Sequence, residues 1–211
     1  MPLRRLFRWV TRPLARALAL RIRVDDPWEP VSRVRFDALA PGSTRPFSWY
    51  SEGKSTVAVA NIADVCDWLC TCHYVSDRTL FQEPDFWQHP VTFEHLKRGD
   101  CEDHALWAWR KLLELGVDAR FVVGSWRAKA DAEWGVHAWV EYTSDGEPFH
   151  LEPIRHDRDR MTQPLAAVRE LYAPHYSVDK SFQPRVHAGL ILYHRRVELA
   201  RRAARSATKR S

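Results

Sequence analysis

The stretch Arg98-Gly99-Asp100-Cys101-Glu102-Asp103-His104-Ala105 sets the reading of the whole chain. Asp100 is a favourable N-cap residue, and Ala105, Ala108, Trp109, Leu112 and Leu113 recur at helical spacing until Gly116 stops the run. A helix starting here carries Cys101 in its first turn, where free backbone N–H groups and the helix dipole favour a thiolate. Asp100, Glu102 and Asp103 act against that, because carboxylates beside a thiol raise its pKa unless they turn away or a cation neutralises them.

Working outward, Trp134-Gly135-Val136-His137-Ala138-Trp139-Val140-Glu141-Tyr142 alternates as a strand, with His137, Trp139 and Glu141 on one face. Asp145-Gly146 is a two-residue hairpin signal, and Phe149-His150-Leu151-Glu152-Pro153-Ile154 reads as the return strand. With Asp145 and Gly146 in the turn, Trp139 faces Glu152 and His137 faces Ile154. His137 and Glu152 are then diagonal neighbours on one face, roughly 7–8 Å apart, a gap their side chains can bridge. A carboxylate holding an imidazole that takes a proton from a helix-terminal thiol is a Cys–His–acid triad. Asp145 and Asp157 are the alternative orienting acids. His104 and His150 compete for the base role, but His104 sits on the cysteine helix and His150 lies opposite Glu141, which leaves His137 as the candidate.

Gly-Asp-Cys-Glu-Asp, His-Ala-Trp-Val and Leu-Glu-Pro, in this order, resemble the transglutaminase-like superfamily of cysteine peptidases and amidases. Upstream, Tyr74-Val75-Ser76-Asp77 and Asp85-Phe86-Trp87-Gln88-His89-Pro90 resemble more narrowly the bacterial transglutaminase-like cysteine proteinases. The resemblance covers residues 61–155 and implies an α+β, papain-like core with a cysteine-bearing helix packed on an antiparallel sheet. It implies Cys101 as nucleophile and His137 as base, with Glu152 in the orienting position where the family usually has Asp. In such families an aromatic or amide side chain ahead of the nucleophile helps hold the oxyanion, which points to Trp87 beside the Cys101 N–H. Some bacterial members bind calcium next to the nucleophile. Asp100, Glu102 and Asp103 would suit that ion, although capping and solvated first-turn acids explain the same residues without metal, and no cofactor is expected as a requirement.

A chain of 211 residues with 45% hydrophobic content and ten tryptophans can bury an aromatic-rich core, most simply as one domain with extensions. The expected division is a basic arm over 1–24, the peptidase domain over 25–194 and a basic tail over 195–211. The net charge of +5 is concentrated in the two ends. In the arm, Leu3, Leu6, Phe7, Val10, Leu14, Leu18 and Ile22 share an apolar stripe that Pro13 interrupts. A docked helix or partly ordered arm is the simpler reading, and a membrane-surface helix the alternative. The basic tail reads as a solvated helix. It invites contact with an acidic surface, but no base-reading motif accompanies it, so no specific nucleic-acid binding is expected.

The four cysteines form no disulfide framework, and Cys66, Cys70, Cys72 and His73 lack the second ligand pair of a structural zinc site. No apolar run is long enough to span a bilayer, and arginines interrupt what would be a signal peptide's apolar region, so the expected compartment is the cytoplasm. Asn61 caps a helix with Ile62, Val65, Cys66, Leu69 and Cys70 on its apolar face. Residues 25–60 read as loops with short strands at Val31–Phe36 and Thr56–Ala60, and 74–98 as a long connection. Ala119–Trp126 is a buried strand, Leu165–Tyr172 a short helix, and Val186–Tyr193 an apolar segment docked on the core. The expected activity is thiol-dependent hydrolysis or acyl transfer on peptide or protein amides. The rival is a catalytically silent member of the same superfamily that serves as a binding or scaffold module.

Overall fold

Two periodicities divide the chain: 3.6-residue stripes pack as helices on one long antiparallel sheet whose strands alternate with period two. The structure, a computed structural model, describes residues 20, 21, 23–33, 38–40 and 43–208. The apolar stripe expected in residues 1–24 lies outside the described residues, as do Lys209 and Arg210 of the tail.

The strands are β1 (Pro30–Arg33), β2 (Ala38–Ala40), β3 (Ser43–Arg45), β4 (His73–Tyr74), β5 (Arg98–Gly99), β6 (Ala119–Trp126), β7 (Gly135–Ser144), β8 (Glu147–Leu151), β9 (Thr162–Pro164), β10 (Tyr172–Val178) and β11 (Pro184–His187). Seven of them make the main sheet in the order β1-β11-β10-β6-β7-β8-β9, with every neighbouring pair antiparallel. The helices are α1 (Ile62–Leu69), α2 (Asp77–Leu80), α3 (Pro90–Leu96), α4 (Cys101–Glu114), α5 (Arg158–Met161), α6 (Leu165–Val168) and α7 (Gly189–Thr208). Asn61 caps α1 as expected, accepting from the Asp64 N–H at 2.9 Å.

Helix α4 is the centre of the core. Its Leu106, Trp107, Ala108, Trp109 and Leu112 are fully buried and join Phe121, Val123, Ala138 and Val140 of the sheet in one apolar cluster. Val122 and Trp139 point to the opposite face of the sheet, where Leu165, Val168 and Tyr172 cover them. This is the α+β arrangement the sequence implies, with the cysteine helix packed on an antiparallel sheet.

Several local expectations are corrected. Thr56–Ala60 is not a strand, and the connection 74–98 holds α2 and α3, the latter started by Pro90 at its first turn. The helix expected over Leu165–Tyr172 is α6 continued by a 3₁₀ turn over Arg169–Leu171, one residue short of the expectation, because Tyr172–Val178 is a sheet strand that tolerates Pro174 beside a bulge between Pro174 and Tyr176. Opposite that bulge, a Cβ on Gly124 would run into the Ala173 carbonyl and the Trp139 ring, so only glycine allows the two strands this approach. Among the described residues, no helix is long and apolar enough to cross a membrane.

Helix α7 is held at its near end by a buried relay. Arg196 donates to Ser125 Oγ at 2.6 Å, and Ser125 pairs with His175 Nε2 at 2.8 Å. Burial, then Arg196, pushes the His175 imidazole down to about 3, so it stays neutral and accepts the serine proton. A histidine whose folded pKa lies below its ordinary 6.5 contributes stability that is present above that value and is lost as pH falls toward 3. Urea melts across this window should show that loss, and His175→Gln should flatten it.

Candidate active site

The surroundings of Cys101 are set by a strand that ends early. The β7–β8 ladder runs Ser144↔Glu147, Tyr142↔Phe149 and Val140↔Leu151 across a turn at Asp145 and Gly146, both at positive φ. This is the register expected from the Asp-Gly signal. The strand stops at Leu151, and the Glu152 N–H turns away to the Met161 carbonyl at 2.8 Å. The next amide of β7 on that side, that of Ala138, has no partner in the β7–β8 ladder, and it is near enough to Cys101 to act against the rise of the thiol pKa. The thiol thus lies beside β7 where β8 has already ended, near Ala138, the neighbour of His137 in sequence.

His137 and Glu152 are both nine-tenths buried or more, and Nε2 of His137 lies 2.8 and 2.9 Å from the two carboxylate oxygens of Glu152. An ionised carboxylate only accepts, so Nε2 carries the proton and Nδ1 is left as the basic nitrogen. Tyr172 donates its hydroxyl to Glu152 Oε2 at 2.8 Å, which fixes the carboxylate from the other side. Burial alone would raise the Glu152 carboxyl, but His137, with His150 behind it, holds it well below the ordinary range. Sequence reasoning missed Tyr172, because it was read as the end of a helix.

The competing residues are placed elsewhere. His104 donates from Nδ1 to the Asp100 carbonyl at 2.7 Å, inside its own helix start, and burial lowers its pKa to about 4. His150 pairs with Glu141 across the hairpin and stands 3.9 Å from Glu152, too far for a hydrogen bond. Asp157 is exposed and faces Arg160 at 3.4 Å. Cys66, Cys70 and Cys72 are free thiols, as is Cys101.

Trp87, the expected oxyanion donor, is 5% exposed. Its indole N–H donates to Asp85 at 2.8 Å, and the ring is packed against Phe47 and Phe121. That N–H is engaged by Asp85. Beside it, Gln88 fixes the helix entry. Its backbone N–H reaches Asp103 Oδ1 at 2.7 Å and its amide reaches Asp103 Oδ2 at 2.5 Å. Gly99 is required here, since a Cβ would collide with the Asp103 carboxylate and the Gln88 amide.

Residues 50–153 match the model of the transglutaminase-like superfamily. The chain carries a transglutaminase-like domain. No curated protein sequence matches it. Among solved structures it is similar to calcium-bound LapG of Legionella pneumophila, at 19% identity over 80% of this chain and 84% of that one, with a TM-score of 0.44. The EGTA-treated form of the same protein gives 19% identity over 79% and 80%, with a TM-score of 0.43. A candidate cysteine protease from Cytophaga hutchinsonii gives 12% identity over 65% and 42%, with a TM-score of 0.39.

The transglutaminase-like domain surrounds its cysteine with carboxylates. Asp100, Cys101 and Glu102 bring ligand atoms within 4.8 Å of one another, as do Asp77, Asp100 and Asp103, and Asp77, Asp85 and Glu102. Part of this is capping: the Asp100 N–H donates to Asp103 Oδ2 at 3.2 Å. Capping does not use all the oxygens. Asp77 Oδ1 and Asp100 Oδ1 are buried acceptors with no partner among the described residues. Burial pushes Asp77 up to about 6 and raises Glu102 and Asp103 well above the carboxylate range. Clustered hard oxygens with unmet lone pairs fit calcium, and Asp77, Asp85, Asp100 and Glu102 are the residues that would hold it. The sequence reading stopped at the three acids of α4, although Asp77 and Asp85 stood in the quoted motifs.

The Cys101 thiol is not the lowered thiol expected from a helix N-terminus. Burial first, then Glu102 and Asp100, raises its pKa well above the ordinary value, and the Ala138 N–H opposes them. The thiol donates to Glu102 Oε2 at 3.3 Å.

Proposed function

We propose that this chain is a thiol-dependent hydrolase or acyl transferase acting on peptide or protein amide bonds, with Cys101 as nucleophile, His137 as base and Glu152 as the orienting acid. The observation that carries the reading is the contact of His137 Nε2 with both oxygens of Glu152, one residue from Ala138, whose N–H acts on the Cys101 thiol. Nδ1 takes the thiol proton as sulfur attacks the carbonyl carbon. The backbone N–H of Cys101 faces the oxygen where negative charge develops. As the C–N bond breaks, the same imidazole returns the proton to the leaving amine, leaving a thioester. Water, or an amine in the transferase variant, then attacks the thioester carbonyl with His137 again as base; the C–S bond breaks, the acyl product leaves and the Cys101 sulfur takes the proton back from the imidazolium. Glu152 stabilises the imidazolium at each proton transfer and, with Tyr172, keeps the ring from turning.

Calcium, when bound at the acidic cluster, would supply positive charge that offsets those carboxylates. Adding a chelator to the purified protein is expected to lower both its melting temperature and its turnover, and added calcium to restore them. No change in either would leave Asp100 and Asp103 with capping alone.

The substrate class is a peptide or protein in extended form. The free thiols and the basic helix α7, with Arg201, Arg202 and Arg205 exposed, fit a reducing compartment and peripheral contact with an acidic or membrane surface. The direct test of the activity is to compare amide cleavage by the wild type with Cys101→Ala and His137→Ala, each of which should abolish it. Cleavage that survives Cys101→Ala would refute the assignment.

A further inference from the structure

On the face of the sheet that carries Trp139, away from helix α4, a cavity of about 390 Å³ opens between the segment Asp26–Pro30, the ends of β6 and β7, and helix α6. Glu141 stands in its wall and is 6% exposed. One carboxylate oxygen accepts from the Trp139 indole at 3.1 Å. The other lies 3.8 Å from Arg120 Nε, too far for a hydrogen bond, so a buried acceptor and a cationic donor stand beside one another without being joined. Trp28, which also lines the cavity, has a buried indole N–H with no acceptor among the described residues. Arg169 lies over the Trp28 ring at 5.1 Å and is occupied by Asp26 at 2.6 Å. Leu165, Pro148 and Tyr142 supply apolar wall.

These groups exclude the simpler ligands. A lone cation at Glu141 would be repelled by Arg120, and a lone anion at Arg120 would meet Glu141 with Asp118 and Asp26 close by. A ligand that carries both charges one carbon apart straddles the gap. We infer that this cavity binds a small zwitterion of the α-amino acid type, its ammonium on Glu141, its carboxylate on Arg120 with the Trp28 N–H as the further donor, and an aliphatic side chain against Leu165 and Pro148. Burial pushes the Glu141 carboxyl up to about 7 despite Arg120, Trp139 and Arg169. The cavity volume is within the range of small-ligand sites and far above that of a single water. The site is independent of whether Cys101 is active, so its test reads binding alone.

The experiment is calorimetric titration of the full chain with L-leucine, N-acetyl-L-leucine and L-leucinamide, which carry both charges, the carboxylate only and the ammonium only. L-leucine is expected to bind the wild type at least tenfold more tightly than either blocked analogue. Glu141→Gln keeps an acceptor for Trp139, and Arg120→Ala removes a half-exposed side chain; each should weaken L-leucine at least tenfold without lowering the melting temperature appreciably. Failure of L-leucine to bind the wild type overturns the inference. So does equal binding of the three compounds, or binding that neither substitution changes.

Discussion

Glu152→Gln is expected to keep the fold and to lower turnover by a factor on the order of 10²–10⁴. Glutamine has the same length, and its amide oxygen can still accept from His137 Nε2 while its NH₂ turns to the Tyr172 oxygen. What is lost is the charge that stabilises the imidazolium formed when Cys101 gives up its proton. Glu152→Asp keeps that charge but withdraws the carboxylate by one methylene, so it should lose less, through misplacement. Tyr172→Phe should lose less again, because His137 still holds the carboxylate. The same contact has a stability signature. A carboxylate whose folded pKa is depressed contributes stability above its ordinary 4.5, lost as pH falls, and this acid sensitivity should be weaker in Glu152→Gln. Comparing turnover and acid melts of the three variants separates the catalytic role from a packing role.

Glu94→Ala is expected to produce the largest loss of stability, about 3–5 kcal/mol, measured by urea denaturation. Glu94 is buried on α3, where its carboxylate accepts from the Thr56 N–H at 2.8 Å and the Trp107 indole at 2.9 Å, and from the Ser55 hydroxyl. Lys111 of the cysteine helix lies 3.6 Å away, with its side chain also buried. Truncation leaves that ammonium without its buried counter-charge and several donors without an acceptor. Lys111 keeps the Val57 carbonyl at 2.6 Å and Glu114 at 2.9 Å, which sets an upper bound on the damage. Glu94→Gln should cost less, since it preserves most of the acceptors while losing the charge. Because the pair ties α3 and the 52–57 segment to the helix that carries Cys101, lost stability should be accompanied by lost activity near the melting transition only.

The legible parts of this molecule were those written locally. The Asp-Gly turn sets the hairpin register, and that register alone puts His137 beside Glu152. The Asn61 and Asp100 caps and the apolar spacing marked α1 and α4 to within a residue. Long-range placement was not legible. Tyr172 reaches Glu152 only because Tyr172–Val178 joins the sheet next to β6, and Pro174 hides that strand from a period-two reading. Asp77 and Asp85 come from the connection ahead of Cys101, and their meeting with Glu102 depends on the path of a segment with no regular period. Trp87 shows the opposite limit: its motif suggested a donor, but its neighbour Asp85 two residues away takes the indole N–H. The dipole argument for a lowered Cys101 pKa also failed on magnitude, since burial and two carboxylates outweigh one helix end.

The central claim, that Cys101 forms a thioester with His137 as its base, is tested most directly by acyl capture. The protein is mixed with an activated acyl donor such as p-nitrophenyl acetate, quenched, and mapped by mass spectrometry of its peptides, alongside Cys101→Ala and His137→Ala. Selective labelling has to be read against Cys70, which is the most open of the other three thiols. The account predicts a burst of p-nitrophenol with one acetyl group on Cys101, and no burst in either variant. Acetylation confined to Cys70 and surface amines, unchanged by His137→Ala, would contradict it and leave a scaffold with the transglutaminase-like fold.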